Sequence, residues 1–548
     1  MQVSRPYGLP KPSESAAVTG LRSPAATRDY AASGFWTFAA FASAFLVLVA
    51  SLYWPVVPPG SDGDANATYQ VMVRLLETFR YRISRTPGQP ALDLMNAAAF
   101  SLGGKAGLVG AYVCICLLGI MAFYRMCSTH GVQYPGLSAA CLLLSPHFVA
   151  HVTGLGDFSL SLSLFLLSLY LLGRRAYTLA AVVFVATIGS RLSYCLFVLP
   201  LMYYIYHVEQ ETGPSASHYG GVLKFALIST PGSLCLFAPL LATYGLSLFH
   251  NLGWQSFSYH ASSFLYKLIS RGLGVPLALL ILALIVVGRL RTARHSSSHQ
   301  DRWFDTFLFM TMPVTLLIFF FVPTKSEILM PFLVALVLYL GRHCRRSVMV
   351  GVFASTVLLG ILHVDLRDPS DDSLALRFSN GLYFEAYAGA YENRYGGEAI
   401  RETLARLPSK AVLITNLKPC YPRELESGHR SAERPCALQS CRGALLKPPM
   451  SAVEFPGLEG RYVVSFQDDS LKEFLANNAL MSESDRYRVF YDSRYAALTR
   501  RWQKVDSSRF GSPLTIRNGE VGPLPPGGST VLRFPAFPAW FRGFPRGT

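Results

Sequence analysis

The chain has 548 residues, 51% of them hydrophobic and 15% charged, with a formal net charge of +16. Soluble domains carry about 25% charged residues, so an ordinary soluble enzyme is excluded, as are a disordered tail, a collagen and a small disulfide scaffold. A polytopic membrane protein remains, in keeping with a mean hydropathy of +0.32.

Charge is spread unevenly. Residues 1–363 carry 24 Lys/Arg against 12 Asp/Glu, and residues 364–548 carry 25 against 21. The first part is basic and starved of acids, and the second has the balance of a solvated surface. No basic helix or aromatic–basic module accompanies the excess, so nucleic acid is not an expected partner. Positive-inside loops explain it instead.

In chain order, residues 1–33 form an N-terminal segment ahead of the first apolar run. Eleven apolar runs then follow, near 34–57, 105–126, 134–150, 155–172, 176–189, 191–206, 222–244, 272–288, 303–322, 326–341 and 347–363. Each is a candidate transmembrane helix. Several fall short of the roughly 20 residues that a ~30 Å hydrocarbon core requires, which is tolerated where a span lines a protein-enclosed cavity. No A-x-A-like site follows the first run, so it reads as a signal anchor. With the N-terminus in the cytoplasm, the inner loops hold Arg125, Arg174, Arg175, Arg289, Arg291, Arg294, Arg302, Arg342, Arg345 and Arg346. The short outer connections hold Arg191, Lys267, Arg271 and Lys325. Ten against four supports that orientation. Residues 34–363 are thus expected to form a multi-pass domain, in the inner or plasma membrane if the source is bacterial.

The outer segment 58–104 resists the charge rule. It carries Arg74, Arg80, Arg82 and Arg85, with Lys105 at its edge. Two readings stand: binding of an anionic ligand, or an amphipathic helix lying on anionic lipid.

An odd number of spans places residues 364–548 outside. Strand-like runs at Lys410–Asn416 and Arg461–Phe466, with a helical stretch at Ser470–Met481, suggest a small α/β domain. The end, 522–548, is rich in Pro, Gly, Phe and Arg and reads as irregular. No internal repeat is visible. The fold class expected is an all-α polytopic bundle with this small extracytoplasmic domain behind it.

Seven of the ten cysteines lie in or beside spans and serve as small apolar residues. Cys420, Cys436 and Cys441 fall in the outer domain, where a disulfide can form, but three cysteines leave the pairing open. No histidine has a spacing that suits a zinc site there.

Three acidic features carry the chemistry. Asp62 and Asp64 flank a glycine just after the first span, in Pro58-Pro-Gly-Ser-Asp-Gly-Asp-Ala-Asn-Ala-Thr-Tyr69, and a helical stretch follows. On local chemistry alone a turn with a helix N-cap accounts for them, since Ser, Asp and Gly suit both jobs. Asp157 opens span four, where a carboxylate caps the helix dipole or supplies a second acid to the same site. Lys325 and Glu327 open span ten in Pro323-Thr-Lys-Ser-Glu-Ile-Leu-Met-Pro331, and Arg191 sits in Gly189-Ser-Arg-Leu-Ser-Tyr194. Charges at such depths mark a site or a pair, so a structural bridge from Asp157 to Arg191 or Lys325 is the alternative. Asn66-Ala-Thr68 is a glycosylation sequon beside these acids and is read as incidental.

The order of these features resembles the GT-C glycosyltransferases, the polytopic superfamily of protein mannosyltransferases and lipid A aminoarabinose transferases. The matching pieces are an acidic first outer loop, the Arg85-Thr-Pro-Gly-Gln-Pro90 segment leading into an amphipathic helix, Asp157, the Gly189-Ser-Arg191-Leu-Ser-Tyr194 turn and the Lys325/Glu327 segment. They cover roughly residues 34–345. The resemblance implies a polyprenyl- or dolichyl-phosphate sugar donor and a lipid, glycan or protein acceptor, both met at the outer face. It implies an essential aspartate in the first outer loop, a role that carries to Asp64 or Asp62. Arg191, Lys325 and Arg85 would face the donor phosphate, with Asp157 and Glu327 as second acids. No cofactor is implied. Asp62-Gly-Asp64 is similar to the metal-binding DxD of nucleotide-sugar transferases, a different class, so a divalent metal is left open without being indicated.

Two other readings are weighed. A transporter or flippase would place coupling carboxylates near the bilayer midplane and show inverted repeats. A lipid-linked oligosaccharide ligase or polymerase would rely on a large late outer loop. The loop at 245–271 is modest, although Trp254, Tyr259, His260 and Tyr266 suit sugar stacking.

Overall fold

The computed structural model describes residues 24–53, 63–79, 81, 83, 87–152, 156–210, 219–245, 257–286, 299–323, 325–367 and 374–384, and the strands 411–414, 445–446, 461–465, 487–491, 514–517 and 520–522. Helix dominates. The helices are α1 (Pro24–Tyr53), α2 (Gly63–Thr78), α3 (Pro90–Thr129), α4 (Pro135–Leu143), α5 (Pro146–Val149), α6 (Asp157–Gly173), α7 (Tyr177–Ser190), α8 (Val198–Gln210), α9 (Gly220–Tyr244), α10 (Phe257–Lys267), α11 (Val275–Val286), α12 (His299–Phe321), α13 (Met330–His343) and α14 (Arg346–Ile361). Short 3-10 turns at Leu192–Phe197 and Ser326–Leu329 lead into α8 and α13, and a π-helical turn, Leu268–Leu273, joins α10 to α11.

Among the described residues, five helices are long and apolar enough to cross a membrane: Gly34–Leu52, Pro90–Thr129, Gly220–Tyr244, Arg302–Phe321 and Ser326–His343. The pair His260–Leu273 and Val275–Ile285, bent by 100°, makes a sixth if taken as one span. The eleven expected spans are therefore not reproduced as eleven long helices. The runs at 155–172, 176–189 and 347–363 fold as shorter apolar helices. The run at 134–150 breaks at Ser145-Pro146, where proline supplies no N–H to continue α4. The run at 191–206 begins with Arg191 in an extended conformation and a 3-10 turn. Hydropathy finds the apolar runs, whereas backbone breaks decide their length.

Prolines open several elements. Pro90, Pro135 and Pro146 each sit in the first turn of a helix, where the missing N–H costs nothing. Within α3, Gly103 and Gly104 leave helical geometry, Gly104 with φ +57°, so the helix is two pieces joined at an elbow. The helix expected after Pro90 is the first piece, but it is not amphipathic in the expected sense: Asp93 and Asn96 are buried while Leu94 and Leu102 are exposed.

Helix α6 is central. It packs against α3 and α7, and α7 in turn packs against α9. At the α3–α6 crossing a Cβ on Gly119 would stand 2.5 Å from Cα and Cβ of Ser163. The two backbones approach this closely because neither carries bulk there. The main core runs through this bundle, with Phe123, Phe148, Phe165, Phe184 and Phe307 fully buried. A smaller core of Tyr69, Met72, Leu92, Phe100, Tyr112 and Leu160 ties α2 and the first piece of α3 to α6.

At the end of the bundle where α3 and α13 finish, aromatic and charged groups lock four segments together. The ring of His130 lies flat on Phe304 at 3.9 Å and makes a 2.8 Å hydrogen bond with the Tyr204 hydroxyl. Burial, aided by the Arg342 charge, holds the His130 imidazole down at about 3. Asp305 of α12 takes Arg342 at 3.1 Å and His343 at 2.9 Å, both from the end of α13.

Strand is a minor part of the described chain. β1 (Leu362–Arg367) follows α14 directly and pairs antiparallel with β2 (Leu374–Asn380). Further on, β3 (Ala411–Ile414), β4 (Leu445–Leu446), β5 (Arg461–Ser465) and β6 (Tyr487–Tyr491) form a parallel sheet in the order β4-β3-β5-β6. β7 (Leu514–Arg517) and β8 (Glu520–Gly522) pair antiparallel. The two expected strands, Lys410–Asn416 and Arg461–Phe466, correspond to β3 and β5, which pair parallel. The expected helix Ser470–Met481, residues 523–548 of the terminal segment, and Cys420, Cys436 and Cys441 lie outside the described residues.

Candidate functional site

The start of α6, the end of α7 and the 3-10 turn before α13 meet at the other end of the bundle. Asp157 opens α6 after Gly156, and its side chain is only 2% exposed. Arg191, in the extended link after α7, donates Nη1–H to its Oδ2 at 2.7 Å. Gln89, just before α3, donates Nε2–H to the same oxygen, also at 2.7 Å. A buried carboxylate needs such partners, because an unpaired charge there costs several kcal/mol.

The Arg191 guanidinium lies over the ring of Phe158, 4.0 Å from its centroid. The His151 ring stands 5.1 Å from the same phenyl group. His151 Nε2 is 3.5 Å from Glu327 Oε1. Phe158 thus stands between the Asp157–Arg191 ion pair and the His151–Glu327 contact. Arg191 and Glu327 both line a small cleft, together with Phe158, Ser193, Tyr194 and Met330.

Beyond Glu327 lies the π-helical turn. His147 donates Nε2–H to the Arg271 carbonyl at 2.9 Å, which ties the short helix α5 to that turn. Lys267 is within electrostatic reach of Arg271, Lys325 and Glu327. Lys325 itself is exposed, at the N-terminal edge of the 3-10 turn. Lys267, Arg271 and Lys325 thus join Glu327 at the end that holds the Asp157–Arg191 pair.

A second buried acid lies behind Gln89. Asp93, fully buried in the first turn of α3, accepts the Tyr81 hydroxyl at 2.8 Å. Burial, with the neighbouring Asp93 charge, raises the Tyr81 hydroxyl well above its ordinary value. Tyr112 lies within reach of both Asp93 and Asp157.

Asp64 sits in the first turn of α2. That helix presses Tyr69 and Met72 into the small core shared with Leu92 and Leu160, neighbours of Asp93 and Asp157 along their helices. Asp62 and Arg85 lie outside the described residues. Of the sequence-predicted residues, Asp157 and Arg191 are brought into direct contact, Glu327 joins the same cleft, and Lys325 lies beside it. Gln89, Asp93, His147 and His151 were not singled out from sequence. The i, i+4 spacing of His147 and His151 was a legible signal, and Gln89 occupies the unspecified position of Arg-x-Pro-Gly-x-Pro.

The chain matches no protein-family model and no curated protein. The resemblance to GT-C enzymes thus rests on the order of short motifs within this chain. Among the described residues no group of three or more His, Cys, Asp or Glu side chains is arranged to hold a metal ion.

Proposed function

We propose that the protein is a GT-C-type membrane glycosyltransferase. It moves a sugar from a polyprenyl-phosphate donor to an acceptor hydroxyl at the outer membrane face, with inversion at the anomeric carbon. The supporting observation is the convergence of four separate segments at one bundle end: Gln89 and Arg191 both hydrogen-bond Asp157, and Arg191 and Glu327 line one cleft. These segments are the ones whose order carries the GT-C resemblance.

The donor already carries a leaving group, so the enzyme has to activate the acceptor oxygen. One carboxylate suffices as general base, typically worth ~10²–10⁴-fold. Asp64 takes that role ahead of Asp62, because it leads directly into α2. The acceptor oxygen bonds to the anomeric carbon as the bond to phosphate oxygen breaks, and the departing polyprenyl phosphate gathers negative charge. Arg191, Lys325 and Arg85 are the cations assigned to that charge, and Lys267 lies within electrostatic reach of Lys325 and Arg271. Asp157 and Glu327 act as second acids. In this reading eleven short and long helices form the bundle, with the N-terminus in the cytoplasm. Residues 364–548 form an outer α/β domain that shapes acceptor access, a reading supported by the parallel pairing of β3 to β6.

The test is transfer of label from polyprenyl-phosphate hexoses and pentoses in membranes carrying the full chain. Asp64→Asn or Asp62→Asn should lower transfer by ~10²–10⁴-fold. If both variants transfer at the wild-type rate, the base assignment is wrong. If the wild type transfers nothing from any such donor, the reading itself is wrong.

One observation favours a transporter or flippase of a polar or lipid-linked solute as the second reading. The α10–α11 pair is bent by 100° at Gly274, and broken helices line substrate paths in transporters. Solute uptake by vesicles without sugar transfer would favour it.

A further inference from the structure

We propose that Asp157 and Gln89 are positioning residues, which hold the Arg191 guanidinium so that its remaining N–H groups meet the phosphate of an isoprenoid phosphate in the cleft. This rests on the phosphate-donor reading above and assigns Asp157 a different task from that of a second acid.

The geometry is asymmetric. The Arg191 side chain is 16% exposed and that of Asp157 is 2% exposed. Arg191 lines the cleft, and Asp157 stands behind it. A guanidinium has five N–H donors in a rigid fork. One edge is committed to Asp157 and one face to Phe158. The remaining N–H groups are held in one orientation before any ligand arrives. An arginine otherwise surrenders rotamer freedom when it binds, so fixing it in advance strengthens binding.

Gln89 is what fixes Asp157. Its Nε2 reaches the same Oδ2 that Arg191 uses, so two donors converge on one oxygen. Gln89 is itself confined. Pro90 follows it, and Gly88 before it adopts φ +94°, where a Cβ would stand 2.9 Å from Leu240 Cδ1. Four residues on, Asp93 anchors Tyr81 and its backbone N–H returns to the Gln89 carbonyl at 2.9 Å. The chain of contacts from Tyr81 through Gln89 and Asp157 thus ends at the cleft.

The experiment is isothermal titration of the purified full-length protein in detergent with farnesyl phosphate, and with farnesol as the uncharged control. Wild type is expected to prefer the phosphate. Asp157→Asn and Gln89→Leu are expected to weaken farnesyl phosphate by about tenfold, the size of one charge-assisted hydrogen bond, and to leave farnesol unchanged. Asp157→Asn added to Arg191→Ala should cost nothing further, because the group it positions is gone. A merely structural bridge would lower farnesol and farnesyl phosphate binding alike. If wild type prefers the phosphate and folded Asp157→Asn or Gln89→Leu keeps that preference, the positioning role is overturned while the donor reading stands. If wild type shows no preference, the phosphate reading falls, and this role with it.

Discussion

Replacing Gly119 by alanine should loosen the bundle and disturb the site at a distance. The new methyl would stand 2.5 Å from both Cα and Cβ of Ser163, whereas ordinary carbon contacts lie near 3.5–4.0 Å. No flexible side-chain tip is available to swing away, so α3 and α6 must separate by about 1 Å at the crossing. Overpacking of this kind costs ~1–3 kcal/mol, and it overrides the helix propensity that alanine gains over glycine, about 1 kcal/mol. Gly110 on the same helix is the control, because nothing lies within 4 Å of a Cβ there. The assay is the fraction of detergent-solubilised protein that stays monodisperse after heating. Gly119→Ala should lose half its monodisperse peak at a lower temperature than wild type, and Gly110→Ala should not. Because Asp157 begins the helix that Ser163 belongs to, Gly119→Ala should also weaken farnesyl phosphate more than farnesol. Equal thermal midpoints for the two alanine variants would refute the close-crossing argument.

Arg191→Ala leaves the Asp157 carboxylate buried without its cation and should destabilise the protein by ~3–5 kcal/mol, with Arg191→Lys milder because the charge remains; thermal midpoints that rank the other way would contradict the pairing. The His130 imidazole, held at about 3 in the folded protein, titrates near 6.5 when unfolded. Below pH 6.5 the unfolded chain binds a proton that the folded chain refuses, so this residue's contribution to stability falls as pH drops towards 3, by up to ~1.4 kcal/mol per unit, and is constant above 6.5. His130→Phe keeps the stack on Phe304 and should flatten that part of the profile. Midpoints measured from pH 4 to 8 that run parallel in the two proteins would count against a buried neutral imidazole.

Much of the bundle was legible because apolar runs are long and charges few. Within the described residues each expected run falls mostly on helix, from Gly34–Leu52 to Arg346–Ile361. Their number as membrane crossings was not, since that depends on where the backbone breaks. Pro146 and the extended Arg191 shorten two runs, and Gly274 turns another, through conformations that hydropathy does not encode. The site shows the same division. Asp157 and Arg191 were visible as rare charges at span ends. Their contact, across 34 residues of sequence, follows from α6 and α7 packing antiparallel. Gln89 is uncharged and lies 68 residues from its partner, and only the tertiary fold gives it a role.

The elbow in α3 has a consequence for depth. Forty residues of straight helix would measure ~60 Å, about twice the hydrocarbon thickness, so α3 cannot cross as a rod. Gly103 and Gly104 divide it, and open space lies where their side chains would be. The part after the elbow is matched to lipid, and the part before it is free to lie against α2 with Asp93 and Asn96 turned into protein. Two glycines thereby act as a depth gauge. They set where the polar groups ahead of the elbow come to rest relative to the apolar piece behind it, and a side chain at Gly104, whose φ is +57°, would move that level along with the backbone.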